Sequence, residues 1–289
     1  MQAIHWLCAL PAFSQRACGR RFAIPAVLTV LLAFAPTVSA ETLKVGGNGS
    51  GMPAMQLLGA EFVKKNPGVT VVVVPNLGSS GGLKALRDGV IDLAISSRGI
   101  KPEETAQGLV ATEYGRTPFV FATNPSVTQG FGSLPELIDA YAGKLTTWAD
   151  GKPIRLILRP KNDGDTAIQQ AISPEMKQAV DAALARPGMI IATTDQDAAD
   201  MLEKTAGALG VTSLSLIQTE KRRVNVLSIN GVAPSTKALG DGSYRYVKTM
   251  YLVRNGAGSD AIMRFNAFVA SREGRQMLLN AGYWVASGS

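Results

Sequence analysis

The chain has 289 residues, with 29 Lys and Arg against 22 Asp and Glu, one His and two Cys. The His and both Cys (His5, Cys8 and Cys18) fall within the first forty positions. There Arg16, Arg20 and Arg21 precede the apolar run FAIPAVLTVLLAFAPTV, and the small-residue pattern VSA ends at Ala40, which is the layout of a cleaved export signal. A chain starting at Glu41 has neither Cys nor His, which excludes disulfides, thiolate catalysis, a Ser-His-Asp triad and zinc sites built on those residues. Loss of three arginines and no acid lowers the net charge from +7 to +4. That excess is dispersed, with no basic block, so it predicts a solvated surface and not a nucleic-acid footprint.

Beyond Ala40, short apolar runs alternate with helical patterns. TLKVGGN predicts a strand, and GMPAMQLLGAEFVKKNPG a helix with Met55, Leu58 and Phe62 on one face and a stop at Asn66-Pro67. VTVVVVPN is a continuous β-branched run, as in a strand buried on both faces. GGLKALRDG predicts a short helix beginning near Gly81, and VIDLAISS a third strand. This β-α-β-α-β succession implies a parallel sheet flanked by helices. TPFVFATNP and YVKTMYLVRNG are two further strands, far apart in sequence. Between them lie the helix SLPELIDAYAG, the strand PIRLILR, the helices TAIQQAI and DQDAADMLEKTAG, and the strand VNVLSIN; DAIMRFNAFVASREGRQMLLNAG closes the chain as one amphipathic helix. A chain that enters a second alternating block and later returns predicts an α/β protein of two lobes joined by two crossover strands. The expected division puts residues 41–122 and 248–289 in the first lobe and 123–247 in the second, with hinges in VFATN and YVKTM.

Four strand ends share a grammar of small polar residues and glycines. In PNLGSSGG, Ser79 or Ser80 either caps the following helix or donates a hydroxyl to a ligand. Unpaired N–H groups and partial positive charge make such a helix start attractive to anions. GGNGSGMPAM places Ser50, Gly51 and Met52 at the start of the first helix. ISSRG puts Ser97 and Arg98 at the end of the third strand, and RPKNDGDT follows PIRLIL into the next helix. Ligands of open α/β sheets bind outside the carboxyl ends of strands. No single turn is specific, since GNGSG is neither a dinucleotide fingerprint nor a P-loop.

Over nearly all of residues 41–289 the chain resembles the phosphate-type substrate-binding proteins of ABC transporters, of the type II periplasmic binding-protein fold. The blocks that carry the resemblance are GSSGGLKALRDGVIDLAISSR, AGKLTTWADGKPIRLILRP, LGVTSLS, INGVAPSTKALGDGSYRYVKTMYLV and REGRQMLLNAGYWV. It implies two lobes, each a mainly parallel sheet flanked by helices, closing on a small oxyanion, with phosphate foremost. Ser79 matches the ligand-bonding serine of the GSSGG turn, and Arg159 the arginine that pairs with the anion. Ser50, Gly51 and Met52 occupy the first-helix turn, where the family often has a hydroxyl and an aromatic residue. Ser97 falls where some members carry an aspartate and others Ser-Arg, as here with Arg98.

RPKNDGDT departs from the family pattern of Arg, three residues, then Ser-Gly-Thr. The same spacing gives Asp163-Gly164-Asp165, and Thr166 aligns only after a one-residue shift. A carboxylate beside an anion is repulsive by ~4 kcal/mol per unit-charge pair at 4 Å and an effective dielectric of 20. Unless a shared proton or a nearby Arg offsets that repulsion, either Asp163 caps the helix and faces away, or the ligand is not phosphate. The resemblance implies no enzyme, no cofactor, an ABC permease as partner, a monomer, and the periplasm as location. The rival readings are a sensor or scaffold with an altered ligand site and a periplasmic phosphate-ester hydrolase. Trp148 is expected in the core or on the lobe surface, with Asp150-Gly151 forming a turn.

Overall fold

The computed structural model describes residues 41–75 and 77–286, and the export-signal expectation for 1–40 lies outside them. In chain order the first half contains β1 (Glu41–Gly47), α1 (Met52–Lys65), β2 (Val69–Val74), α2 (Gly78–Arg87), β3 (Leu93–Ser96), α3 (Pro102–Ala106), β4 (Leu109–Thr123) and α4 (Leu134–Ala142). There follow β5 (Arg155–Leu158), α5 (Gly164–Gln170), α6 (Pro174–Ala185), β6 (Ile190–Ile191), α7 (Asp195–Lys204), β7 (Ala208–Ser213), α8 (Leu214–Glu220), β8 (Asn225–Val226) and α9 (Thr236–Gly240). The last elements are β9 (Val247–Asn255), α10 (Asp260–Ala270) and α11 (Arg272–Asn280).

The strands line up as β2-β1-β3-β9-β4-β7-β5-β6, with β8 pairing β4. β1 runs parallel to β2 and β3, with Glu41 opposite Val69 and Val45 opposite Leu93. β5 likewise runs parallel to β6 and β7. The antiparallel members are the long strands β9 and β4, which pair with each other from Leu109 opposite Asn255 to Pro118 opposite Val247. Beyond that point β4 pairs with β7 and β8. This is the two-lobed α/β architecture expected from the sequence, with two strands crossing between parallel-sheet lobes.

Each lobe has its own apolar core. Met55, Leu58 and Phe62 of α1 pack with Leu43, Val45 and Ile95 of the sheet and with Ile262 and Phe265 of α10. Phe62 meets Phe265 edge-on, with ring centroids 5.2 Å apart. A second cluster joins Phe119, Phe121, Leu137, Tyr141, Leu156, Met176, Val180 and Leu209. Trp148 belongs to it: its ring stacks on Phe131 at 4.5 Å and its indole N–H donates to Gly207 O at 3.0 Å.

Several elements differ from the expectation for local reasons. α2 begins at Gly78, three residues early, because Gly78 takes φ +63° and turns the chain into the helix there. The closing helix is two helices: Ser271 ends α10 and caps α11, its Oγ accepting from Gly274 N at 3.1 Å. β4 runs back to Leu109 through an irregularity between Glu113 and Gly115, whereas VNVLSIN keeps only two strand residues, Asn225–Val226. α3, α6, β6, β7, α8 and α9 have no counterpart among the expected elements, although Ser173 and Pro174 form a standard N-cap and first-turn pair ahead of α6.

The site depends on a close approach of α2 to β1. A Cβ built on Gly82 would lie 2.7 Å from the Gly47 Cα, a backbone atom that cannot swing away. Gly82→Ala should therefore push α2 off the sheet and lower stability by about 1–3 kcal/mol. A thermal melt equal to that of the parent would show that the packing has slack.

Candidate functional site

Five strand-to-helix turns meet at one cleft of 570 Å³, lined by residues of the segments 47–49, 77–81, 97–98, 159–171 and 193–196. The lobes touch across it. A Cβ on Gly164 would sit 2.9 Å from Ser97 Oγ, and one on Gly49 would sit 2.8 Å from Asp195 Oδ2. Glycine at both positions is what lets the two walls come this close.

The α2 turn is held by hydroxyls. Leu77 is the N-cap and makes no side-chain cap bond, so neither Ser79 nor Ser80 serves as the cap. Instead Ser79 Oγ accepts from Ser97 N at 3.0 Å and lies 3.1 Å from Ser97 Oγ. Asn48 Nδ2 donates to Ser97 Oγ at 3.3 Å. Ser79 and Ser80 both face the cleft, as do Gly78 and Gly81. The first N–H groups of this helix have no intrahelical acceptor. Arg98 lines the rim, but its guanidinium is taken bidentately by Glu104, at 2.9 and 2.8 Å. Those bonds hold the Glu104 carboxyl down at about 2, against the opposing effect of burial.

Arg159 ends β5 with its side chain only 3% exposed. Its Nη1 donates to Ala192 O at 3.0 Å, and its Nη2 and Nε reach the two oxygens of Asp163 at 2.9 and 3.3 Å. Asp163 does two things at once. It caps α5, accepting from Asp165 N at 2.9 Å, and it faces the cleft against Arg159. Thr166 points inward and donates to Pro160 O at 2.9 Å, which fixes the loop carrying Arg159. Gly164 lines the cleft, whereas Asp165 and Thr166 are behind it, each 2% exposed.

Behind the cleft, Ser50 and Asp165 join two residues that the sequence patterns do not single out, Lys248 and Asp195. Lys248, fully buried on β9, places Nζ 2.6 Å from Asp165 Oδ1 and 2.8 Å from Asp195 Oδ1. It also donates to Ser50 Oγ at 2.8 Å. Ser50 Oγ in turn donates to Asp195 Oδ1 at 2.6 Å, and Gly49 N donates to Asp195 Oδ2 at 3.1 Å. Ser50 is thus brought to the back of the cleft. Gly51 and Met52 lie further in, beside Ile95, Tyr114 and Met250. Asp195 also comes within 3.7 Å of Arg159 Nη2. Burial works against Asp195's charge, but Lys248 and Arg159 outweigh it and hold the group below the ordinary Asp range. Burial dominates at Asp165 and pushes it up to about 6, against Lys248.

Two signals marked these residues. Lys248 is a charge inside the apolar strand YVKTMYLV, which calls for a buried partner. Asp195 opens a helix in the sequence TTDQDAAD, the same turn grammar as the other four, but the strand before it has only two residues, Ile190–Ile191.

The family model described as the PBP superfamily domain matches residues 34–273. The chain is 22% identical over 250 residues to the phosphate-binding protein PstS of Borreliella burgdorferi, covering 84% of this chain and 89% of that protein. It is 24% identical over 249 residues to PstS of Bacillus subtilis, covering 84% and 80%. The fold is similar to that of a putative phosphate ABC transporter substrate-binding protein with bound phosphate from Clostridium perfringens. The TM-score is 0.74 at 21% identity, over 86% of this chain and 100% of that one.

Lys248→Met should cost about 3–5 kcal/mol, because it leaves Asp165 and Asp195 buried without their shared cation. Equal melting temperatures for variant and parent would remove the cluster's structural role. The raised Asp165 has its own signature. A carboxyl whose folded pKa is raised binds its proton more tightly in the native state. Its contribution is therefore fully present below the unfolded value of 3.8 and is lost as pH rises through about 6. Asp165→Asn should flatten that part of the stability-against-pH curve, measured by denaturant titration.

Proposed function

Because the chain belongs to the PBP superfamily domain family, we propose that it is a periplasmic binding protein that captures a small oxyanion, phosphate foremost, and presents it to an ABC permease. The observation that carries this reading is the convergence of the open α2 turn, Ser79 and Arg159 on a single cleft between two lobes. Relatives named phosphate-binding proteins, matched over most of their length, support the choice of phosphate. The protein binds and releases its ligand without changing it, acts as a monomer, and takes no nucleic acid and no cofactor. Residues 1–40 carry the export signal.

The lobes are 41–122 with 248–289, and 123–247. The change of β4's partners near Phe119 and the separation of the two apolar clusters support that division. An anion entering the cleft takes the N–H groups of the α2 turn and the Ser79 hydroxyl on one side. On the other it exchanges with Asp163 for the guanidinium of Arg159. Ligand that touches both lobes favours the closed arrangement over the open one, and the permease reads that difference.

A ligand-altered sensor or scaffold is the second reading. What favours it is that Ser50 and Arg159 already have carboxylate partners. A hydrolase has less support, since residues 41–289 lack His and Cys and the cleft aspartates are held by cations.

Calorimetric titration with phosphate separates these readings. Ser79→Ala removes one neutral donor and should weaken binding by about 0.5–1.5 kcal/mol. Arg159→Ala removes a charge-assisted contact and should cost about 2–5 kcal/mol. Unchanged affinity in Arg159→Ala would move the anion elsewhere, and no binding by the parent protein would favour the sensor.

A further inference from the structure

The cleft offers an anion no free cation. Among the described residues, the charged side chains lining it and their ion-pair partners are Arg98 with Glu104, Arg159 with Asp163 and Asp195, and Lys248 with Asp195 and Asp165. That is three cations against four carboxylates. The remaining groups packed around Asp195 and Asp165 do not reverse the sign. Asp197 of α7 accepts from Thr193 and Thr194, and Glu220 of α8 accepts from Gln196 and pairs with Arg222. The Tyr283 hydroxyl is neutral and donates to Ser50 O at 3.1 Å. A dianion arriving alone would take this group of charges from one net negative to three.

We propose that the cleft takes up one proton with each oxyanion it binds, so that capture is coupled to protonation of the Asp163–Asp165–Asp195 group or of the anion held against it. This rests on the oxyanion-binding reading above. Two positions are placed to hold the proton. Asp163 faces the cleft, and an anion that displaces it from Arg159 would otherwise sit carboxylate to oxyanion; one hydrogen between them turns that repulsion into a charge-assisted hydrogen bond. Asp165 lies behind it, walled from solvent, with one cation shared between it and Asp195. Burial already pushes it up to about 6. An added negative charge in the cleft raises it further. The proton comes from solvent and returns to it on release, so charge balances over the cycle and no other reactant is needed.

The test is calorimetric titration of the whole protein with inorganic phosphate. Pairs of buffers that differ in ionisation heat are used, near about pH 6 and about pH 8, on either side of the phosphate monoanion's own ionisation. The buffer dependence of the heat counts protons. Uptake approaching about one proton per phosphate is expected at the higher pH, with affinity falling up to about tenfold per pH unit above neutrality. Asp163→Asn, which keeps a good helix cap, and Asp165→Asn each remove one negative charge and should reduce both the uptake and the pH slope. Heats independent of buffer, with equal affinity at both pH values, would overturn the coupling. So would full uptake retained in both variants, since the cluster would then have no part in it. Absence of any binding at either pH would instead bring down the oxyanion reading underneath.

Discussion

Much of this molecule turns on a lysine that has no route to water. Lys248 sits on one of the two strands that cross between the lobes, and burial alone would drive it towards the neutral amine. Asp165 and Asp195 outweigh burial and hold it above the ordinary lysine range. Those two carboxylates come from the first turns of α5 and α7, and the same ammonium reaches Ser50 at the start of α1. One charge therefore sets the relative positions of three helix starts and a crossover strand. The apolar clusters of the two lobes are separate, so they cannot do this. Buried ion pairs add little net stability compared with apolar packing, but breaking one is costly, which makes such a cluster better suited to fixing an arrangement than to strengthening it.

Three aspartates within this small region have different work because their surroundings differ. Asp163 is partly open, caps a helix and neutralises the arginine that faces the cleft. Asp195 sits against two cations and the donors of Gly49 and Ser50, and it stays ionised. Asp165 is walled from solvent and shares its lysine with Asp195, and burial pushes it up to about 6. Each of these carboxylates is thus paired with a cation, Asp163 and Asp165 at positions where the resemblance leads one to expect hydroxyls.

The order of β1 to β3 and their helices is legible in the sequence because these have strong local patterns, from the β-branched run Val71–Val74 to the stop at Asn66-Pro67, whereas the short elements α3, α6, β6, β7, α8 and α9 are not. The sequence also placed Ser79, Ser97, Arg159 and Asp163 in turns that meet at the cleft. It missed Lys248 and Asp195 because their role exists only between elements. Lys248 is 53 residues from Asp195 and 198 from Ser50, and no window of sequence spans such contacts. The break at Ser271 and the early start of α2 at Gly78 were hidden for a smaller reason: apolar periodicity continues through a cap, while backbone direction does not.

The position of β9 also bears on how the chain acquires its structure. β3 pairs on one side with β1 and on the other with β9, and β9 in turn separates β3 from β4. Until residues 247–255 are available, β3 and the first part of β4 each present an open edge, and the apolar face of α1 lacks Phe265. Pairings of such long sequence separation are slow to form and expose strand edges while they wait. A partly synthesised chain can fold the middle segment, with its own cluster, but not the flanking one. The N-terminal third must therefore stay unfinished until nearly the whole polypeptide has been made. That gives this topology a built-in delay, during which the strand edges of the N-terminal segment stay exposed.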